Sequence, residues 1–150
     1  MPLEHDSFKF FECDCLDLET LKKIFLTIRP EIVIHYAAIN GTRYFYDIPF
    51  KVCDENIRMT QNVLACCGSH VEKIVYASSS EVYGPAPNIP TKETEPIKLF
   101  TQATRDSYAS SKALGEFLVK LWAQSNNSHH LIIRPFICMV TESKQDHFVM

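Results

Sequence analysis

The chain has 150 residues, 46% of them apolar and 22% charged, which suits a single folded domain and excludes a disordered chain. A formal net charge of -3 with scattered basic residues excludes the basic stripe typical of nucleic-acid binding. No apolar run approaches the ~20 residues that span a bilayer, and the acidic start lacks a signal-peptide pattern. We therefore expect a cytoplasmic protein that binds neither nucleic acid nor membranes.

The six cysteines are interpreted as free, buried thiols that behave as small hydrophobes. Cys13-Asp14-Cys15 and Cys66-Cys67 lack the spacing of a zinc site, and disulfides are rare in the cytoplasm. We expect no metal site, and a thiol or metal protein is the weakest of three functional hypotheses. The full set is Cys13, Cys15, Cys53, Cys66, Cys67 and Cys138.

Strand and helix patterns alternate in the first part of the chain. The aromatic segment 8–13 predicts a strand. Asp17 is placed as the N-cap of a helix whose apolar residues recur from Leu18 to Ile28, and Arg29-Pro30 ends it. The β-branched run 31–36 predicts a parallel strand buried on both faces.

A loop of small residues, 37–42, leads to a long helical pattern over 47–67. Pro49 fits its first turn and Gly68 fits its C-cap. Together they predict one helix in this region.

The second part repeats the alternation. A strand over 73–77 ends at three consecutive serines, and a loop over 83–101 holds four prolines. A helix follows over 106–124, and a strand over 131–135 closes the pattern. One face of that helix is apolar, with Leu114, Phe117, Leu118 and Leu121.

This alternation predicts an α/β fold with a parallel sheet, in which ligands bind at the carboxyl ends of the strands. The rule selects four short segments as candidate site. They are Asp14, residues 37–42, residues 78–81 and Pro135-Phe136.

Tyr108-Ala109-Ser110-Ser111-Lys112 is the strongest chemical motif. Residues four apart share one helical face, so the phenol and the ammonium can serve one site. A phenol with a pKa of about 10 is a poor base at neutral pH, and nearby positive charge favours its ionised form. Tyr108 is therefore a candidate general base. The same spacing is also common in exposed helical pairs.

Three ordered motifs carry a resemblance to a known family. They are Val33-Ile34-His35-Tyr36-Ala37-Ala38, Ala77-Ser78-Ser79-Ser80-Glu81-Val82-Tyr83-Gly84 and the Tyr-x-x-x-Lys motif. With Cys13-Asp14-Cys15-Leu16-Asp17 and Asn56, the chain resembles the extended short-chain dehydrogenase/reductase family, in its NAD-dependent nucleotide-sugar epimerase/dehydratase branch. The resemblance covers residues 8–136 and implies an incomplete Rossmann-like three-layer fold.

The resemblance implies a role for each matching residue. Tyr108 would be the catalytic base, Lys112 would hold the nicotinamide ribose and lower the Tyr108 pKa, and Ser79 would bind the substrate hydroxyl. Glu81 would be either a second acid/base or only a loop anchor. Cofactor-binding residues would be Asp14, Cys15, Tyr36, Ala37, Ala38, Asn40, Asn56, Ala77, Ser78, Tyr108, Lys112, Pro135 and Phe136.

Several of these residues have a plain structural interpretation. Asp14 could be a solvated turn carboxylate, and Asn56 could lie on a solvent-facing helix turn. Ser78 and Ser80 could cap backbone groups at the strand end. His35 is better explained as a core histidine with a hydrogen-bond partner than as a ligand.

Two parts of the family pattern are not matched. The family opens with a strand, a glycine-rich phosphate-binding turn and a helix, whereas Gly41 is the first glycine here. We therefore expect the first β-α-β unit to be lacking and segment 8–13 to shift, mispair or need a partner. After Phe136 the family's turn toward a substrate lobe is replaced, so the domain is assigned to 1–136 and a divergent tail to 137–150.

Two functional hypotheses remain open. One is NAD-dependent oxidoreduction at a sugar carbon of a UDP-, GDP- or dTDP-linked substrate, with little activity expected from this chain alone. The alternative is a non-catalytic interaction module on a full-length family member. Family members are commonly homodimers, which implies an interface through the 47–67 and 106–124 helices.

Overall fold

The structure of the protein is a computed structural model that describes residues 8–85 and 88–136. Their alternating helices and strands confirm the predicted α/β class with a parallel sheet. The proposed tail 137–150, with Cys138, lies outside the described residues. The elements are α1 (Leu18–Ile28), β1 (Ile32–His35), α2 (Tyr44–Asp47), α3 (Pro49–Cys66), β2 (Lys73–Ala77), a 3₁₀ turn (Ser80–Tyr83), α4 (Asp106–Ser125) and β3 (His129–Ile133).

The three strands form one parallel sheet in the order β1-β2-β3. Hydrogen bonding between β2 and β3 continues beyond the strands, because the Ser78 amide donates to Ile133 O at 2.8 Å and the Ser80 amide to Pro135 O at 3.1 Å. The loops that follow β2 and β3 are therefore held side by side at the carboxyl edge of the sheet.

Helix α1 begins and ends where the sequence predicts. Asp17 caps its start, because Asp17 Oδ1 accepts a hydrogen bond from the Thr20 amide at 3.1 Å. Arg29 ends the helix in the left-handed conformation at φ 49°, and its amide donates to Phe25 O at 2.8 Å. Pro30 then prevents continuation.

The main core lies between the helices and one face of the sheet. Val33, Ile74 and Tyr76 point from β1 and β2 into this core. On the opposite face Ile32 and Ile34 are 57% and 62% exposed. The prediction that β1 is buried on both faces is therefore wrong. Successive side chains of a strand alternate between faces, and the described helices cover only one of them.

Segment 8–13 is not a strand, so that prediction is also wrong. Phe8, Phe10 and Phe11 are exposed, whereas Cys13 packs against the main core. A strand needs a neighbour for its backbone hydrogen bonds, and within the described residues the sheet consists of β1, β2 and β3 alone. Aromatic alternation without a partner does not make a strand here.

Helix α4 buries a different face from the apolar one in its sequence. Leu114, Phe117 and Leu121 are exposed, and Leu118 is half-buried. The buried face carries small and polar residues instead: Tyr108, Ala109, Ser111, Lys112, Ala113, Gly115, Glu116, Val119 and Ala123. This face packs closely on β2, with Gly115 directly against the Tyr76 ring.

Candidate active site

Tyr108 and Lys112 meet at the carboxyl end of β2. The Tyr108 ring is buried and stacks on Phe45 of α2, with ring centroids 4.7 Å apart and planes inclined by 15°. One turn later on α4, Lys112 Nζ lies 5.7 Å from the centroid of the Tyr108 ring. The two side chains share one site, as their spacing predicts.

The Lys112 ammonium is only partly satisfied by the protein. Lys112 is 3% exposed, and its Nζ donates to Ala77 O at 2.8 Å. An ammonium has three donors, and Ala77 O is its one acceptor among the described residues. Burial lowers the Lys112 pKa to about 8. Two N–H donors of this buried cation therefore have no acceptor among the described residues and are open to a ligand or to water.

Burial raises the pKa of Tyr108 above its usual value, which differs from the expected lowering by Lys112. The nearby Ser79 side chain acts in the opposite direction and lowers the pKa of the phenol, but burial is the larger effect. The negative charge of Glu81 adds to the increase. The described side chains therefore favour the neutral phenol, and further positive charge would be needed to ionise it.

Ser78 and Ser79, which follow β2, make different contacts at the strand end. Ser79 is buried and caps the 3₁₀ turn, because its Oγ accepts from the Glu81 amide at 3.2 Å. Ser78 Oγ donates to Glu116 of α4 at 2.5 Å. The hydroxyl of Ser78 bonds to a side chain, so the interpretation of Ser78 as a backbone cap is wrong, and Ser79 caps the turn instead.

Glu81 is held by Arg105. The guanidinium meets both carboxylate oxygens, with Nη2 to Oε1 at 2.8 Å and Nε to Oε2 at 3.3 Å. Such two-pronged contacts fix a carboxylate in place. Of the two roles considered for Glu81, this geometry favours the loop anchor. Arg105 carried no recognisable signal in the sequence.

Asn56 is buried and clasps the loop after β1. Its Oδ1 accepts from the Ile39 amide at 2.7 Å, and its Nδ2 donates to Ile39 O and to Ser111 Oγ, each at 3.2 Å. The solvent-facing interpretation of Asn56 is therefore wrong. The amide fixes loop 37–42 next to α4 and so forms one wall of the site.

His35 is a core histidine with a hydrogen-bond partner, as expected. Its Nε2 lies 3.2 Å from Thr60 Oγ1, and that hydroxyl donates its proton to Asn56 O at 3.0 Å. Since a hydroxyl has one proton, His35 Nε2 carries the hydrogen of the first bond. Burial, with a smaller contribution from the Lys112 charge, lowers the His35 pKa to about 4.

Asp14 and Cys15 form a turn at the start of α1. Asp14 is exposed, and its Oδ1 accepts from the Leu16 amide at 2.9 Å. Asn62 of α3 donates to Cys15 O at 2.9 Å and to Leu16 O at 3.3 Å. Asn62 thus ties this turn to α3, a role that the sequence did not reveal because an amide in a helix has many uses.

The remaining candidate residues line open surface. Tyr36, Ala37 and Asn40 are exposed in the loop after β1, and Ala38 is half-buried. After β3, Pro135 and Phe136 are exposed. A cavity of about 580 Å³ runs beside β3 and includes Pro135 and Phe136, but neither Tyr108 nor Lys112 lines it.

The five described cysteines are free thiols. Only Cys67 is buried, so the expectation of buried thiols is wrong for Cys13, Cys15, Cys53 and Cys66, which are half-buried. Burial nevertheless raises the thiol pKa in each case. Within residues 8–85 and 88–136, no cluster of three His, Cys, Asp or Glu side chains is arranged to hold a metal ion.

A buried ionic cluster lies beside the site and was not predicted from the sequence. The Glu116 carboxylate of α4 accepts hydrogen bonds from Arg134 Nε at 2.8 Å and Nη2 at 2.7 Å, and from the Ser78 hydroxyl. Arg134 also donates to Glu93 O at 3.2 Å and lies 4.9 Å from the centroid of the Tyr83 ring. The signal was Glu116 itself, an acidic residue on the Tyr108 and Lys112 face of α4.

Comparison with known proteins decides the family, because residues 2–148 match the NAD dependent epimerase/dehydratase family. The chain belongs to this NAD-dependent family. It is 34% identical over 128 residues to UDP-glucuronate 4-epimerase of Thermodesulfobacterium geofontis, covering 84% of this chain and 36% of that protein. It is 29% identical over 136 residues to UDP-glucose 4-epimerase of Mycoplasma genitalium, covering 89% of this chain and 39% of that protein.

Solved epimerase structures share the fold of this family member. UDP-glucose 4-epimerase of Thermus thermophilus in complex with NAD aligns with a TM-score of 0.75 at 28% identity, over 87% of this chain and 41% of that one. UDP-Glc/GlcNAc 4-epimerase of Campylobacter jejuni aligns with a TM-score of 0.76 at 26% identity, over 85% and 38%. The chain therefore spans about two fifths of the relatives it matches.

No described helix is both long and apolar enough to cross a membrane. This finding concerns residues 8–85 and 88–136 only.

Proposed function

We propose that this chain carries the catalytic part of an NAD-dependent nucleotide-sugar epimerase or dehydratase. The buried Lys112 ammonium beside Tyr108 supports the proposal most directly, because two of its donors are free among the described residues. A buried cation with unused donors is costly unless a ligand completes its hydrogen bonds. We place that ligand at the carboxyl end of β2.

The donors present fit the ribose half of NAD. Two remaining N–H groups of Lys112 match a pair of neighbouring ribose hydroxyls. The small side chains of Ala37 and Ala38 leave the loop backbone accessible, and Asn56 holds that loop in place. The exposed Asp14 carboxylate could accept hydrogen bonds from an adenine. When bound, NAD would accept hydride from a sugar carbon and supply positive charge near the phenol.

In this proposal Tyr108 removes the proton from the sugar hydroxyl while Ser79 hydrogen-bonds the same hydroxyl. Because burial raises the pKa of Tyr108, the phenol would ionise only when positive charge is added beside it, as the oxidised nicotinamide ring would add it. Lys112 orients the ribose. Glu81, paired with Arg105, anchors the loop.

The substrate we propose is a sugar linked to UDP, GDP or dTDP. Relatives include the two UDP-sugar epimerases and a dTDP-4-dehydro-6-deoxy-D-allose reductase of Streptomyces, which is 28% identical over 123 residues. The sugar, and the choice among epimerisation, dehydration and decarboxylation, stay open. A cytoplasmic location and the domain division after residue 136 also stay predictions.

The phosphate half of NAD has no glycine-rich turn in this sequence, where Gly41 is the first glycine. Such turns bring backbone amides close to the pyrophosphate. We propose that the chain alone binds NAD weakly and turns over no nucleotide sugar. Turnover of any UDP-, GDP- or dTDP-sugar by the purified chain would overturn this part.

A second candidate function is an interaction module that docks on a full-length family member. The observation in its favour is the exposed apolar row of Leu114, Phe117 and Leu121 on α4. This function needs no cofactor.

The test is a thermal melt of the purified chain over a range of NAD concentrations. We expect the midpoint to rise saturably with NAD, since a ligand that binds only the folded state stabilises it. Lys112→Met should abolish the rise, because it removes the free donors. Lys120→Met, at an exposed position of the same helix, should leave it intact. A melt indifferent to NAD would reject cofactor binding and favour the interaction module.

A further inference from the structure

Successive turns of α4 hold consecutive residues at the end of β2. Lys112 donates to Ala77 O, and Glu116, one turn further, accepts from the Ser78 hydroxyl. Tyr108, one turn earlier, lies close enough to Ser79 for that side chain to oppose the rise in the pKa of the phenol. The proposed mechanism uses Tyr108 and Lys112 but assigns nothing to Glu116, although Glu116 is as deeply buried as Tyr108.

Glu116 also connects β2 to the loop after β3. Its Oε1 accepts hydrogen bonds from Arg134 Nε and from the Ser78 hydroxyl, and its Oε2 accepts one from Arg134 Nη2. Three charge-assisted hydrogen bonds satisfy a carboxylate that would otherwise be costly to bury. Arg134 directly precedes Pro135, and the Ser80 amide donates to Pro135 O. The cluster therefore fixes the two loops against each other.

Arg134 extends the same cluster to the long loop. Its Nη1 donates to Glu93 O, and its guanidinium faces the Tyr83 ring, which in turn stacks on Phe136 with centroids 6.3 Å apart. The guanidinium thus contacts α4, the 3₁₀ turn and loop 88–105 at once. A lysine could not make these contacts, since it lacks the planar fork.

We infer that Glu116 is a positioning residue, which acts through Ser78 and Arg134 to set the place of Ser79 and of Pro135-Phe136. This inference rests on the proposed function for its catalytic consequence, but its structural consequence is independent of NAD. Without the Glu116 charge, the fork loses its partner and the end of β2 is held only by Lys112 and the backbone ladder.

Amide hydrogen exchange measures this positioning directly. Glu116→Gln keeps the size of the side chain and removes its charge. We expect exchange at the Ser78 and Ser80 amides to accelerate about tenfold or more, with the amides of β1 nearly unchanged, because the opening is local. Ser78→Ala removes one of the three bonds and should give the same pattern more weakly. Glu55→Gln, which neutralises an α3 carboxylate 3.9 Å from Lys51, is the control.

A uniform acceleration across β1, β2 and β3 would overturn the inference, because Glu116 would then support the whole fold and position nothing. Unchanged exchange at Ser78 and Ser80 would overturn it as well. Arg134→Lys keeps the charge but lacks the fork, so its exchange should lie between those of the wild type and Glu116→Gln.

NAD binding separates this inference from the proposed function. If the wild type binds NAD, we expect Glu116→Gln to raise the dissociation constant for NAD about tenfold. Glu55→Gln should leave it unchanged. Equal affinity of Glu116→Gln and the wild type for NAD would contradict the expected effect of Glu116 on cofactor binding. If the wild type binds no NAD while the exchange pattern holds, the proposed function fails and the positioning role stands.

Discussion

His35 and Lys112 are two buried bases whose charged forms are disfavoured by the same core. Burial lowers the pKa of His35 to about 4 and that of Lys112 to about 8. The Lys112 charge adds to the lowering of the His35 pKa. One imidazole is thus held neutral, while the ammonium keeps its charge for a ligand at neutral pH.

The lowered pKa of His35 predicts loss of stability in acid. The folded-state pKa of about 4 lies below the usual 6.5, so the unfolded chain binds the proton first as the pH falls. The neutral imidazole contributes fully to the unfolding free energy above pH 6.5, and this contribution is lost as the pH falls toward 4. The shift corresponds to about 3 kcal/mol of unfolding free energy.

Urea unfolding at several pH values between 4 and 7 tests this prediction. His35→Gln keeps an N–H donor for Thr60 but does not titrate, so its unfolding free energy should fall less steeply in acid than that of the wild type. The exposed His129 offers a control, since His129→Gln should retain the wild-type slope. If the unfolding free energies of His35→Gln and the wild type fall in parallel with pH, the pKa of His35 is not lowered in the folded state.

At the scale of elements, the contact of α4 with β2 depends on a glycine. A Cβ at position 115 would overlap the Oη and Cζ atoms of Tyr76, which is itself almost completely buried. The ring cannot withdraw without disturbing the core. Gly115→Ala should therefore lower the unfolding free energy by about 2–3 kcal/mol, despite the better helix propensity of alanine.

Denaturant unfolding of Gly115→Ala measures this cost, with Leu26→Ala on α1 as the control. Leu26 is 77% exposed, so its truncation should change the unfolding free energy by about 0.5 kcal/mol or less. If alanine at 115 costs no more than alanine at 26, the close packing of α4 on Tyr76 is wrong.

Elements with a strong local signal were predictable from sequence. α1 has a capping aspartate and an Arg29-Pro30 stop, and α3, β2 and α4 follow clear periodicities, whereas β3 lies two residues before the predicted strand 131–135. The buried face of α4 was not predictable, because it carries the polar residues Tyr108, Lys112 and Glu116 and leaves leucines outside. Segment 8–13 failed for a similar reason, since strand formation depends on a neighbour and not on local sequence.

Within the site, prediction succeeded where spacing determines geometry. Residues four apart on a helix must share a face, so Tyr108 and Lys112 were found together. Asn62, Arg105 and Arg134 act through contacts that are distant in sequence, at separations of 47, 24 and 18 residues. One sequence alone contains no information on such pairs.

At the scale of the whole molecule, the apolar row on α4 predicts self-association. Leu114, Phe117 and Leu121 recur at helical spacing and are 42%, 59% and 56% exposed. Contiguous exposed apolar side chains of this kind are typical of protein interfaces. Phe50 of α3, which packs beside α4, is exposed too. These helices correspond to the homodimer interface that we propose over 47–67 and 106–124.

Sedimentation equilibrium of the purified chain tests this proposal. We expect a monomer–dimer equilibrium for the wild type and monomers for Phe117→Glu combined with Leu121→Lys, because charges buried at an interface without partners oppose association. The thermal midpoint extrapolated to low concentration should be unchanged, since neither side chain belongs to the core. Leu26→Lys on α1 introduces a charge at a still more exposed leucine and should leave the dimer intact. If Leu26→Lys dissociates the dimer while the α4 pair does not, the interface lies on the α1 side of the molecule. A wild type that stays monomeric at all concentrations would mean that the α4 row serves a different partner, as the interaction-module hypothesis requires.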